Sequence, residues 1–240
     1  MVKTFRKGLR FALVLALFQC ATNLWSKVPG SGKGRGEAEE SARVTISVYN
    51  DAEVPADVLG RAEEQAGQIF LHAGIEVFWL NCPVLAVSED ASRACREAIF
   101  PEHLHLRIVR RSTGLKGEAM GISFQAEDGS GCYADLFYEP MEQLHRSQGT
   151  DVANLLGHVA AHEIGHLLLG SKSHAVAGIM HAHWTVEELT SGKMERLVFS
   201  EQESLRMKAK LGTAMQALQQ RPSTEAVPAR GTESSLLRSH

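Results

Sequence analysis

Residues 152–169 read VANLLGHVAAHEIGHLLL, and this stretch constrains the fold more than any other. Only Asn154, His158, His162, Glu163 and His166 in it are neither apolar nor glycine. Apolar residues at every helical phase, bounded by Asp151 before and Gly170 after, predict a helix that is covered on nearly all sides. The rest of the chain must therefore supply the surfaces that cover it. A buried carboxylate and buried imidazoles cost several kcal/mol unless they are paired or bind a metal, so this helix also predicts its own chemistry.

The surrounding pattern supplies a sheet. Residues 43–49 (RVTISVY) alternate and are β-branched, as a strand requires. Pro55 then opens a helix to about Ala73, with Val58, Leu59, Ala62, Ala66, Ile69 and Phe70 spaced for one buried face. Further strands are expected at 75–80, 104–109, 120–124 and 133–138, the last two separated by the turn-rich AEDGSG at 126–131. A final helix starts at Ser200, where Ser-Glu-Gln-Glu has capping-box spacing, and is expected to reach about Leu211. This order predicts an α+β (α/β-like) domain, one mixed twisted sheet packed by helices. The hydrophobic share of 44% and charged share of 22% suit a chain with a real core, and argue against wholesale disorder or a multi-span membrane protein.

Two histidines four apart on a helix lie only about 40° apart around its axis, so His162 and His166 project side by side. Glu163 falls on the flank, within reach of a water at the same point. This HExxH arrangement suits two His ligands to one Zn²⁺ and a Glu general base. A catalytic zinc usually takes three protein ligands. His174 is the expected third, brought back by a turn at Gly170, with His181 and His183 as rivals and Glu187 or Glu188 as a carboxylate alternative. His158, one turn before His162, is expected to pack or support rather than ligate.

Over residues 155–184 the sequence resembles the metzincin zinc endopeptidases, whose pattern is HExxHxxGxxH followed by a Met-turn. This chain reads His162, Glu163, His166, Gly170, His174 and then Gly178-Ile-Met180, with Gly170 one residue late and His174 two residues late. It also resembles bacterial secreted proteins with an AHEIGHLLLG core. The resemblance implies a metallopeptidase fold with an early packing helix, an active-site helix, a C-terminal helix and Met180 beneath the metal. It implies a peptide or protein substrate, paired along a cleft-edge strand at 120–124 or 133–138. Some metzincins follow the Met-turn with a Tyr, and none follows Met180 here; His181, His183 and Trp184 stand where the specificity-pocket wall would be. The alternative, from a different class, is a catalytically silent zinc-binding or protein-binding module. The presence of Glu163 favours the enzyme, since a structural zinc needs no general base.

The N-terminus predicts export. Lys3, Arg6, Lys7 and Arg10 precede an unbroken apolar run at 11–18, the pattern of a signal peptide over 1–26. That run is shorter than the roughly 20 apolar residues of a membrane span. Phe18 and Gln19 before Cys20 are bulky, which argues against a lipid anchor there. A flexible linker at 27–41, one domain at 42–215 and a disordered tail at 216–240 complete the expected organisation. The destination is the exterior, the periplasm or the cell envelope. Loss of the four basic residues in 1–26 moves the net charge from -3 to -7, which gives no basis for a nucleic-acid partner. Export permits disulfides: Cys82 and Cys95 are expected to close a short loop, leaving Cys132 as a free thiol.

Overall fold

The computed structural model describes residues 42–83, 89–97, 99–112, 119–170, 173–190 and 192–219, all in one unit spanning 40–240. The expected signal at 1–26 and linker at 27–41 lie outside the described residues, as does the expected disordered tail at 216–240 except for 216–219, which are helical. Five strands form one mixed sheet: β1 (Ala42–Asn50), β2 (Ile75–Cys82), β3 (His103–Val109), β4 (Gly121–Phe124) and β5 (Tyr133–Phe137). Their order is β2-β1-β3-β5-β4. β1 runs parallel to β2 and β3, and β3 parallel to β5; only β4 is antiparallel, to β5.

The β1–β2 crossover is α1 (Ala56–His72), a 17-residue helix with Pro55 at its N-cap. Parallel neighbours need such a long connection. Alternation then sorts the sheet into two faces. Val44, Ile46 and Val48 on β1, Leu104, Leu106 and Ile108 on β3, and Leu136 on β5 all lie on one face and are at most 2% exposed. Each such side chain contributes about 1.5–3 kcal/mol by leaving water. Against this core lies the long helix α4 (Val152–Leu169), with α1 beside it. Asp151 caps α4 by accepting from the backbone N–H groups of Ala153 and Asn154 at 2.9 and 3.0 Å. A Cβ at Gly157 would lie 2.6 Å from the Ala62 carbonyl, so glycine lets α1 and α4 approach closely.

The opposite face of the sheet is more polar and only partly covered: Ser47, His103 and His105 are buried on it, while Arg43, Phe78 and Arg107 are exposed. Ser47 Oγ lies 2.8 Å from His103 Nε2, and His105 Nε2–H donates to the Glu97 carbonyl at 2.8 Å. Two helices carry too few apolar residues to have been expected from the sequence: α2 (Glu89–Arg96) and α3 (Tyr138–Gln148). α2 is tied to the sheet by the Cys82–Cys95 disulfide, with a Cα–Cα distance of 5.8 Å. Cys132 is a half-buried free thiol, its pKa raised by that burial.

After α4 come the one-turn α5 (Val186–Leu189), a 3-10 turn (Met194–Arg196) and α6 (Glu201–Gln219). Ser200 and Glu203 form the expected capping box, the Ser200 N–H donating to Glu203 at 2.7 Å and the Glu203 N–H to Ser200 at 3.3 Å. α6 continues past Leu211 to Gln219. Gly212 and Thr213 are weak helix formers, but Ala214 to Gln219 are good ones, and the first proline is Pro222. Among the described residues, no helix is long and apolar enough to cross a membrane.

Candidate metal centre

α4 is apolar on all sides because it is enclosed on all sides. Its three central polar residues are His158 at 0% exposure, His162 at 9% and Glu163 at 6%. His166, one turn further on, is half-buried at the wall of a cavity of about 660 Å³. α4 ends at Gly170, whose φ of +91° turns the chain out of the helix, and His174 returns to the same wall.

Three imidazoles meet there. His166 Nε2 lies 3.0 Å from His162 Nε2 and 3.1 Å from His174 Nε2, and the ligand atoms of all three fall within 4.8 Å of one another. Behind the cluster, His162 Nδ1–H donates to the Ile179 carbonyl at 2.7 Å, which leaves the lone pair on Nε2. His166 Nδ1 is likewise engaged, 2.7 Å from Ser173 Oγ. Lone pairs so close repel one another unless a proton or a cation lies between them. Protonation is disfavoured: burial, then the neighbouring imidazoles His162 and His174, push His166 down to about 3. Burial also lowers His162, against its bond to Ile179. A cation satisfies all three nitrogens at once, whereas a neutral His174 donating its Nε2–H would satisfy only its contact with His166. A tetrahedral ion with bonds of about 2.0–2.1 Å holds its ligand atoms about 3.3 Å apart, close to the spacing here, and an all-imidazole set suits zinc.

The support beneath is built from glycine. Gly178 adopts φ +80° and starts a turn that carries Ile179 and Met180, both fully buried, under α4. His158 is not part of the cluster. Its Nδ1 and Nε2 lie 2.8 Å from the carbonyls of Asn154 and Met194, and the neutral ring has one N–H to donate to either of them. Trp184 stands edge-on to His162, ring centroids 5.4 Å apart.

Of the rivals for third ligand, His181 and His183 line the cavity but lie outside the cluster. Glu188 closes the capping box of α5 with Thr185, and Glu187 pairs with Lys193.

Glu163 points from α4 toward β4. A Cβ at Gly121 would sit 2.7 Å from both its Cγ and its Oε1, and the Ser123 hydroxyl hydrogen-bonds it. Burial pushes its pKa up to about 8, opposed by that hydroxyl. The edge strand thus contributes two residues, Gly121 and Ser123, that no spacing in the sequence announces. Ser173 was also missed, although it directly precedes His174. Gln125, just past β4, donates to the His166 carbonyl.

No protein-family model and no curated protein matches the chain. Among solved structures, it is similar to a zinc-dependent peptidase from Methanocorpusculum labreanum (strain Z), 14% identical with a TM-score of 0.48, over 68% of this chain and 99% of that one. It is also similar to archaemetzincin from Methanopyrus kandleri, 14% identical with a TM-score of 0.46, over 73% of this chain and 99% of that one. Likenesses this distant transfer no residue's role.

Proposed function

We propose that this chain is an exported zinc-dependent endopeptidase of metzincin type, with one ion held by His162, His166 and His174 and with Glu163 as general base. The observation that carries the proposal is the convergence of three Nε2 atoms beside a buried carboxylate at the wall of an open cavity. Zinc held there supplies Lewis acidity toward a scissile carbonyl and lowers the pKa of water at the site. Glu163 takes the proton of the attacking water and returns it to the leaving amine. Burial holds the Glu163 carboxyl up at about 8, and the positive charge of a bound dication would favour the ionised form that a base requires. Ser123 and Gly121 hold that carboxylate against β4.

β4 is the outermost strand of the sheet beside the cavity, so its outer edge is available to pair with an extended peptide. Met180, packed under α4, fills the role of the Met-turn methionine. Export rests on the pattern of residues 1–26, and the Cys82–Cys95 disulfide is in keeping with an oxidising destination.

The test is cleavage of a broad peptide library by wild type and Glu163→Gln, with bound zinc measured in both. Wild type cleaves; E163Q keeps its zinc and loses at least about 100-fold in rate. Equal cleavage by the two proteins would refute Glu163 as the base. Zinc binding by wild type without any cleavage would favour the silent zinc-binding module instead. His174→Ala lowers zinc affinity while His181→Ala and His183→Ala do not, which separates the third ligand from its rivals.

A further inference from the structure

His162 and His166 are fixed by one helix, whereas His174 arrives on a separate segment and is itself exposed. Seven residues separate His166 from His174, two more than in HExxHxxGxxH. A longer connection has more conformations to lose on ordering, so the third imidazole needs a tether. The residue before it provides one. Ser173 is buried at 9% exposure, and its Oγ lies 2.7 Å from His166 Nδ1. One turn earlier the backbone fixes the tautomer of His162, because a carbonyl only accepts. At His166 a side-chain hydroxyl occupies the equivalent position.

We propose that Ser173 is a positioning residue of the metal centre: its hydroxyl accepts the Nδ1–H of His166, and that one bond both keeps the His166 Nε2 lone pair on the cluster and docks the His174 segment onto α4. A second bond holds the segment further along, from the Ala175 N–H to the Met180 carbonyl at 2.8 Å. The longer spacing between the second and third imidazoles thus carries its own clasp. The proposal rests on reading the cluster as a zinc centre and is independent of peptide cleavage.

The experiment is zinc affinity of the full chain, by competition with a chromophoric chelator, for wild type, Ser173→Ala, Ser173→Thr and His174→Ala. Two measurements on the zinc-free proteins accompany it: thermal unfolding, and the His166 tautomer from nitrogen-15 NMR. Partners of ligand imidazoles typically contribute about 10- to 100-fold in metal affinity, and S173A loses an amount in that range. S173T recovers most of it, and S173A unfolds within about 4 °C of wild type, as loss of a single hydrogen bond requires. Zinc-free wild type holds His166 as the Nδ1–H tautomer, and S173A shifts population toward Nε2–H. Equal zinc affinity in wild type and S173A, or an unchanged tautomer in S173A, overturns the role of Ser173. Failure of wild type to bind zinc overturns the metal centre itself, a separate result.

Discussion

Met180 lies against the α-carbon of Gly165: a Cβ built there would come within 2.7 Å of its Sδ and 2.8 Å of Phe199 Cε1. Gly165 stands between the two helical histidines His162 and His166, so its missing side chain is what lets the turn pass directly beneath them. An alanine inside a helix ordinarily stabilises by about 1 kcal/mol relative to glycine. Gly165→Ala does the reverse. Overpacking at a closed contact costs about 1–3 kcal/mol, and the urea midpoint of zinc-free G165A falls accordingly. A midpoint at or above wild type would show that Met180 yields freely.

Gly121 and Ser123 act on Glu163 from the neighbouring strand. Gly121→Ala drives the carboxylate out of its position, and a displacement of about 1 Å at a catalytic group costs on the order of 100-fold in kcat. Ser123→Ala removes one hydrogen bond to a charged acceptor, a loss of about tenfold. Both variants keep their zinc. Steady-state kinetics with zinc content checks this, and zinc lost in parallel with kcat would place the damage at the ligands.

Three histidines outside the cluster make stability depend on pH. Burial is the leading cause that lowers His103, His105 and His158 below the ordinary histidine value of 6.5. As pH falls through 6.5 the unfolded chain takes up these protons before the folded one does, so stability is present above that value and declines below it. Burial also lowers His162 and His166, which act in the same sense. Glu163, pushed up to about 8, takes up its proton first in the folded chain and opposes them. Five histidines against one carboxyl leave the zinc-free protein denaturing at lower urea at about pH 5 than at about pH 7.5. The zinc-free state is the one to use, because zinc stabilises the fold by mass action. Equal midpoints would mean that the protonation of Glu163 offsets the histidines in full.

The Cys82–Cys95 bridge joins the end of β2 to α2 over a sequence separation of 13. A loop of that length contributes about 3 kcal/mol in the chain-entropy model. Reduction, or Cys82→Ser with Cys95→Ser, lowers stability by about that amount and leaves zinc affinity intact, since β2 lies at the edge of the sheet opposite β4. Loss of zinc on reduction would show that α2 supports the centre.

Local pattern was enough wherever the physics is local. The spacing of His162 and His166 is a property of any helix, and the alternation of β1 and the apolar face of α1 announce themselves within a few residues. α2 and α3 escaped because their order comes from elsewhere: α2 is anchored by a disulfide, and α3, which contains Pro140, buries only Tyr138 and Met141. α6 ran on to Gln219 because nothing breaks it sooner.

By itself, the sequence determined that a buried helix would present two imidazoles and a carboxylate in need of compensation, beneath a mixed sheet. Only the tertiary structure decided that His174, rather than His181 or His183, joins them, and that β4 brings Gly121 and Ser123 against Glu163. It also decided that Met180 passes under Gly165 and that Ser173 reaches His166. Helical spacing is set by the geometry of neighbouring residues, whereas these contacts depend on strand order and on turns at Gly170 and Gly178, which join segments that composition and period leave independent.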